Sequence, residues 1–312
     1  MQIHRDWTLP AEARGGVVAL GNFDGVHLGH AQLLRAAHAA RPDAPLTVLT
    51  FEPHPREFFR PEDPPFRLTL AAERAALLAA AGVRHLIELP FDADFSALSA
   101  EAFVTRVLHR GLGASHLVCG SDFAFGHRRG GDATFLAERA ADLGIGLTIV
   151  PKLADEEGAV SSTRIRRLLQ DGYPERAATL LGRPWAITGT VIEGAKLARS
   201  LGTPTANMAL GRHLEPARGV YAVRVRLPSG EWAGGVANIG RRPTVNAGTD
   251  TRLEAHLFDY AGDLYGQALG VGLLAFMRGE QKFSGLAALQ AQIARDASQA
   301  RALLDLPPAG SQ

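Results

Sequence analysis

A single cysteine in 312 residues, Cys119, leaves no internal disulfide and no cysteine-rich zinc centre to build. Its neighbourhood, HLVCGSDF, is apolar and suits a buried, inert thiol. The chain also lacks a charge excess, since 33 Lys and Arg stand against 32 Asp and Glu. No strong field exists to gather nucleic acid or an anionic membrane. Long apolar runs are missing too: none approaches the ~20 residues that span a bilayer. The opening MQIHRDWTLPAEARGG has no apolar signal-peptide core. These absences predict a cytoplasmic protein with no nucleic-acid and no membrane partner. No internal repeat is visible, and the oligomeric state stays open.

What is present is ordinary globular material, 46% hydrophobic and 21% charged, in a chain long enough for two cores. In the first half, strand-like runs VVAL (17–20), LTVLTF (46–51), HLIELPF (85–91), HLVCG (116–120) and GLTIV (146–150) alternate with helical patterns. That alternation predicts a parallel sheet covered by helices, with ligands at the carboxyl ends of its strands. From residue 161, SSTRIRRLLQDG and YPERAATLLGRP read as two short helices. Five strand-like runs follow between 186 and 277 with no helix among them, which predicts a small antiparallel barrel. The last helix, 285–304, would put Leu286, Leu289, Ile293, Ala300 and Leu303 on one face. The break at GRPW sets expected domains of 1–182 and 183–312.

The stretch GNFDGVHLGH (21–30) joins the first strand to a helix. As a zinc site it fails, because His27 and His30 have no nearby third and fourth ligand. A bare structural turn leaves two histidines, an Asp and an Asn unexplained. A phosphate-binding turn accounts for them: the backbone can approach polyphosphate oxygens, the helix N-terminus favours negative charge, and the imidazoles can donate as charge builds. VSSTRIRRLL (160–169) offers hydroxyls and the cations of Arg164 and Arg166 at a second helix start. Alone it reads as a cap followed by a solvated basic face; with the first segment it favours nucleotide binding.

These motifs, with TFEPHPREFF (50–59) and GSDFAFGHRRGGD (120–132), resemble the nucleotidylyltransferase superfamily and, within it, bacterial FAD synthetases. The second half is similar to the riboflavin kinase module through PTAN (204–207), GVYAVRV, GVANIGRRPT and LEAHLFDYAGDLYG. The resemblance to the bifunctional riboflavin kinase/FAD synthetase family runs from about residue 15 to about 305. It implies a Rossmann-like nucleotidylyltransferase domain and a β-barrel kinase domain ending in a helix. It implies substrates riboflavin, FMN and ATP, flavins as both substrate and product, and Mg²⁺ carried with ATP.

Residue by residue, the resemblance makes His27 and His30 the adenylyl-transfer histidines. Gly21, Asn22, Phe23, Asp24 and Gly25 would line the nucleotide pocket, and Ser161, Ser162, Thr163 and Arg166 would hold phosphates. Phe59, Asp122, Phe123 and Phe125 are flavin-binding candidates, although Phe123 and Phe125 read equally well as core aromatics at strand spacing. His54, between prolines, fits a structural imidazole. In the kinase module, Thr205 and Asn207 sit two apart on an extended segment and supply hard oxygen ligands for Mg²⁺ and phosphate. Glu254 takes the place of the catalytic glutamate, between Arg252 and His256 on a polar strand face. Two departures, Ala198 for the usual Gly and Thr203 for the usual Phe, bear on the loop before PTAN and are the only support for a decayed kinase. A sensor protein would need the pockets but not His27, His30 and Glu254.

Overall fold

The computed structural model describes residues 1–192, 205–243 and 249–307. It divides into two compact units, Met1–Pro64 with Thr69–Ser161, and Pro65–Leu68 with Ser162–Gln312.

The first unit is built on six strands, β1 (Gln2–His4), β2 (Val17–Leu20), β3 (Leu46–Glu52), β4 (His85–Pro90), β5 (His116–Gly120) and β8 (Gly146–Val150). Their order is β1-β4-β3-β2-β5-β8 and every pairing is parallel. Continuous apolar runs suit this position, because both faces of each central strand are covered. Alternate residues divide between two cores. Val17, Ala19 and Val48 join α1 (Leu28–Ala40) and α3 (Ala71–Ala80) on one face. Val18, Leu20 and Leu49 join α6 (Ala133–Asp142) and a π-helical segment, Phe103–Gly111, on the other. The chain order reverses at β2, between β3 and β5, so the segments leaving β2 and β5 meet the crevice where such sheets bind ligands.

Shorter pieces fill the connections: α2 (Pro55–Phe59), α4 (Ala93–Ser96), α5 (Ala100–Ala102), the hairpin of β6 (Ala124–Phe125) and β7 (Gly131–Asp132), and that of β9 (Ala154–Asp155) and β10 (Gly158–Ala159).

The second unit opens with α7 (Ser162–Gln170) and α8 (Pro174–Leu181). Six strands follow, β11 (Trp185–Thr190), β12 (Ala206–Ala209), β13 (Gly219–Arg226), β14 (Trp232–Pro243), β15 (Thr249–Leu257) and β16 (Ala268–Gly279). They pair antiparallel in the order β11-β16-β13-β14-β15-β12. Just past β11, Ile192 bridges Asn207 of β12, its N–H donating to the Asn207 carbonyl at 2.8 Å, so the sheet nearly closes into a barrel. The strap Pro65–Leu68 belongs to this unit: the Leu214 N–H donates to the Arg67 carbonyl at 2.9 Å, and the buried Trp185 Nε1–H to the Leu68 carbonyl at 2.8 Å.

The final helix, α9 (Leu286–Leu303), turns only part of the expected face inward, with Leu289 and Ile293 half-buried. Leu286 and Leu303 are 54% and 52% exposed, while Asp296, Ala300, Arg301 and the following Leu304 are buried. Ion pairs fix that orientation. Asp296 accepts from Arg278 at 2.7 Å and from the Gln292 amide at 2.8 Å, and Arg301 reaches Asp259 at 2.6 Å while stacking over Phe258. A buried charge of this kind is tolerated because it is paired, and the apolar period cannot report it.

Candidate functional site

In the first unit the turn after β2 is held by its own polar groups. The Asp24 carboxylate, almost fully buried, accepts from the Thr69 backbone N–H at 3.0 Å and its hydroxyl at 3.3 Å. That hydroxyl in turn accepts from the Gly25 N–H at 2.9 Å. On the other side, the Thr50 hydroxyl donates to the Asn22 carbonyl at 3.1 Å, and the Gly21 N–H to the Leu49 carbonyl at 3.3 Å. So anchored, the backbone takes positive φ at Phe23 (51°), Gly25 (84°) and Val26 (41°). Glycine adopts this region freely, whereas a β-branched valine there costs on the order of 1–3 kcal/mol. Burial of Phe23 and Val26 in the core holds the strained shape.

The two histidines form a reciprocal cap on α1. His27 Nδ1 accepts from the His30 N–H at 3.3 Å, and His30 Nδ1 accepts from the His27 N–H at 3.2 Å. The rings stack with centroids 3.7 Å apart and 17° between planes, and Phe23 lies against His30 at 4.9 Å. Gly29 makes room for this: a Cβ there would stand 3.1 Å from the His27 ring. A ring nitrogen that accepts carries no proton, so each neutral imidazole holds its proton on Nε2, away from the helix backbone. The result is a stacked imidazole pair at a helix N-terminus, an arrangement that suits anionic oxygens. The Val160 carbonyl lies 3.5 Å from the same Cβ position on Gly29, which puts Ser161 beside the start of α1.

Ser162 and Thr163 open α7 in the second unit, and Arg166 follows one turn later. The Arg166 Nε–H donates to the Phe66 carbonyl at 2.8 Å, and its guanidinium lies over the Phe66 ring at 5.1 Å.

The kinase-module candidates come together through strand register. On β12 and β15, Asn207 stands directly opposite Glu254. The Asn207 amide nitrogen donates to the Thr205 carbonyl at 3.2 Å and its hydroxyl at 3.3 Å, which turns the Asn207 side-chain oxygen away from Thr205. Along β15, Leu253, Ala255 and Leu257 are buried while Arg252, Glu254 and His256 are half-buried, so the polar face lies outside the barrel core. Among the described residues no group of three or more His, Cys, Asp or Glu is placed to hold a metal ion, and any ion here would rely on hydroxyl, amide and substrate oxygens. An open depression of about 530 Å³ elsewhere, lined by Arg14, His109, Arg110 and Ile145, touches none of these residues.

Comparison with known proteins agrees with this division. The FAD synthetase family pattern matches residues 9–164 and the riboflavin kinase pattern residues 181–304. A bifunctional riboflavin kinase/FMN adenylyltransferase of Pseudomonas fluorescens is 45% identical over 297 residues, 95% of each chain. Its counterpart in Escherichia coli strain K12 is 41% identical over 298 residues, again 95% of each chain. This chain belongs to the bifunctional riboflavin kinase/FMN adenylyltransferase family. A crystal structure from Streptococcus pneumoniae, described as a macrolide-efflux protein, shares the fold with a TM-score of 0.84 at 34% identity, covering 94% of this chain and 96% of that one. No helix among the described residues is long and apolar enough to cross a membrane.

Within the riboflavin kinase/FMN adenylyltransferase framework, the flavin candidates occupy different settings. Phe59 is 63% exposed at the end of α2, edge-on to Phe58 and Phe91 at 5.1 and 5.7 Å. Phe125 is buried in the core cluster, and the half-buried Phe123 stacks on it at 5.3 Å. Asp122 pairs with Lys152 at 3.0 Å on the surface. His54 caps α2, its Nδ1 accepting from the Arg56 N–H at 3.0 Å while Glu57 accepts from the His54 N–H at 3.1 Å. Ala198 and Thr203 lie outside the described residues.

Sequence reasoning passed over Thr69, which ties the Asp24 turn, and Arg74. The Arg74 guanidinium is fully buried near the carboxyl ends of β3 and β4, 2.7 Å from Glu88 and 3.0 Å from Glu52. The only signal for Thr69 was a hydroxyl just ahead of a helix; Arg74 looked like one more charge on an amphipathic helix.

Proposed function

We propose that residues 1–182 transfer an adenylyl group from ATP to FMN and that residues 183–312 phosphorylate riboflavin. The observation that carries the first assignment is the reciprocal His27–His30 cap, which commits both Nδ1 atoms to backbone N–H groups and leaves the proton of each ring on Nε2. An FMN phosphate oxygen attacks the α-phosphorus of ATP; the new P–O bond forms as the bond to pyrophosphate breaks, and pyrophosphate leaves with the electron pair. Negative charge grows on the oxygens of the transferring group, where the two Nε2–H donors and the α1 N-terminus are worth most. Gly21, Asn22 and Gly25 supply the turn that the nucleotide approaches, and Asp24 and Phe23 keep its shape. Ser161, Ser162, Thr163 and Arg166 are assigned to ATP phosphates, and Phe59, Asp122, Phe123 and Phe125 to the flavin.

In the second unit, Glu254 takes the proton from the terminal ribityl hydroxyl as that oxygen attacks the γ-phosphorus of ATP and ADP departs. The Thr205 hydroxyl and the Asn207 side-chain oxygen are the hard oxygen ligands assigned to Mg²⁺, and the hydrogen bond that now joins the Asn207 nitrogen to Thr205 would give way as both oxygens turn to the ion. When bound with ATP, the ion would neutralise phosphate charge. ATP and free flavin as substrates place the enzyme in the cytoplasm.

Incubation with riboflavin and ATP, followed by chromatography, tests the whole reading. FMN and then FAD are expected. FAD only from supplied FMN would remove the kinase assignment, and no product at all would leave a binding protein.

A further inference from the structure

One polar residue beside Glu254 has no part in the roles above. Asn238 of β14 stands directly opposite Glu254, as Asn207 does from the other side, so the three form one row across β12, β15 and β14. Residues opposite each other on antiparallel strands share a face, with Cβ atoms about 4.5–5.5 Å apart. The flanking Ala237 and Ile239 point into the barrel core, which puts Asn238 on the same face as Glu254. Asparagine is poorly suited to the middle of a strand, and this one is half-buried. Among the described residues its side chain makes no hydrogen bond. Gly240, two residues on, leaves the backbone bare: a Cβ there would lie 3.3 Å from Asn238 Nδ2 and 2.5 Å from Glu280 Oε1.

We propose that Asn238 is a specificity residue of the kinase site, hydrogen-bonding the inner ribityl hydroxyls of riboflavin next to the terminal hydroxyl that Glu254 deprotonates. This rests on the assignment of Glu254. The chemistry of the row selects the ligand. Phosphate oxygens only accept hydrogen bonds and carry negative charge, and two carboxylates, Glu254 and Glu280, flank Asn238 while Arg252, opposite Gly240, offsets one of them. A polyol is neutral, and each hydroxyl both donates and accepts, as a carboxamide does. A chain reaching its last hydroxyl to Glu254 carries its inner hydroxyls past the neighbouring strand.

The test compares riboflavin with a flavin bearing a 5-hydroxypentyl chain, which keeps the terminal hydroxyl and lacks the inner ones. Asn238→Ala should lower kcat/KM for riboflavin about ten- to a hundredfold, mostly through KM, and change that for the analogue less than about twofold. KM for ATP and FAD formation from supplied FMN should hold. Asn238→Asp, which keeps shape and loses the donors, should show the same discrimination and decides the matter if the alanine variant folds poorly. Equal losses on both flavins in a folded variant mean a structural role, and no loss on riboflavin means no contact; either overturns the proposal. Glu254→Gln separates the two assignments: normal kinase turnover there sinks the Glu254 reading, whereas discrimination between the flavins belongs to Asn238 alone.

Discussion

The two candidate sites of this chain are built with opposite architectures. In the first unit the candidate turn and histidine pair lie within ten residues, 21 to 30, and are held by a strained turn, a reciprocal histidine cap, and a tie to Thr69. In the second, Asn207 and Glu254 are brought side by side only by the register of β12 on β15. A contiguous site depends on local backbone shape and is sensitive to what anchors the turn. A register-built site survives local change as long as the strands stay paired, and its vulnerability lies in the chemistry of single side chains.

The largest effect should come from that second architecture. Glu254→Gln keeps volume and reach and removes the capacity to take a proton, so kinase turnover should fall by roughly two to four orders of magnitude. Riboflavin and ATP should still bind, and FAD synthesis from supplied FMN should continue. Should the variant phosphorylate riboflavin at the normal rate, the residue is merely a half-exposed strand position.

In the first unit, His30→Ala removes one of two donors and half of the cap. FAD formation from FMN should drop about a hundredfold, with riboflavin phosphorylation nearly unchanged. Equal loss of both activities would show that the histidine supports folding or that the two reactions share one site.

The unlike architectures also explain what could be read from the residues alone. The parallel sheet followed, because VVAL, LTVLTF and HLVCG are continuous apolar runs that occupy buried strands at 17–20, 46–52 and 116–120. The turn and both histidines of the first candidate site lay in one contiguous motif, 21–30. Thr69 did not, being brought to Asp24 from 45 positions away, and no local pattern announces such a tie. Asn238 was hidden for a related reason: its alignment with Glu254 is a matter of register, which a chain without its pairing does not reveal. The α9 face was legible in part: Ala300 is buried as its spacing suggests, whereas Asp296 and Arg301 carry packing that leucines usually carry.

Thr69→Val sharpens the contrast at a smaller scale. The shape is conserved, but the Gly25 N–H and the Asp24 carboxylate each lose a hydroxyl in a buried setting, which costs about 1–3 kcal/mol. The urea midpoint read through FAD formation should fall, while the midpoint read through kinase activity should stay. Parallel shifts in both would show that the two units unfold as one.

The smallest effect belongs to Cys119, and it gives the comparison an internal reporter. The thiol is fully buried in β5, and that burial, reinforced by the charge of Asp122, raises its pKa from 9.0 to about 11. At pH 8 the native thiol is neutral and inaccessible, so alkylation should be negligible over hours while both activities persist. The sign of the linkage is fixed: the unfolded chain gives up this proton at lower pH than the folded one, so the first unit should lose stability as pH rises above 9. Because no other cysteine exists, labelling counts only molecules whose first unit has opened. Along a urea series, alkylation should follow the loss of FAD formation and be independent of the loss of kinase turnover. Rapid labelling of fully active protein would place the thiol outside the core, and labelling that tracks the kinase alone would end the view that each unit carries its own stability.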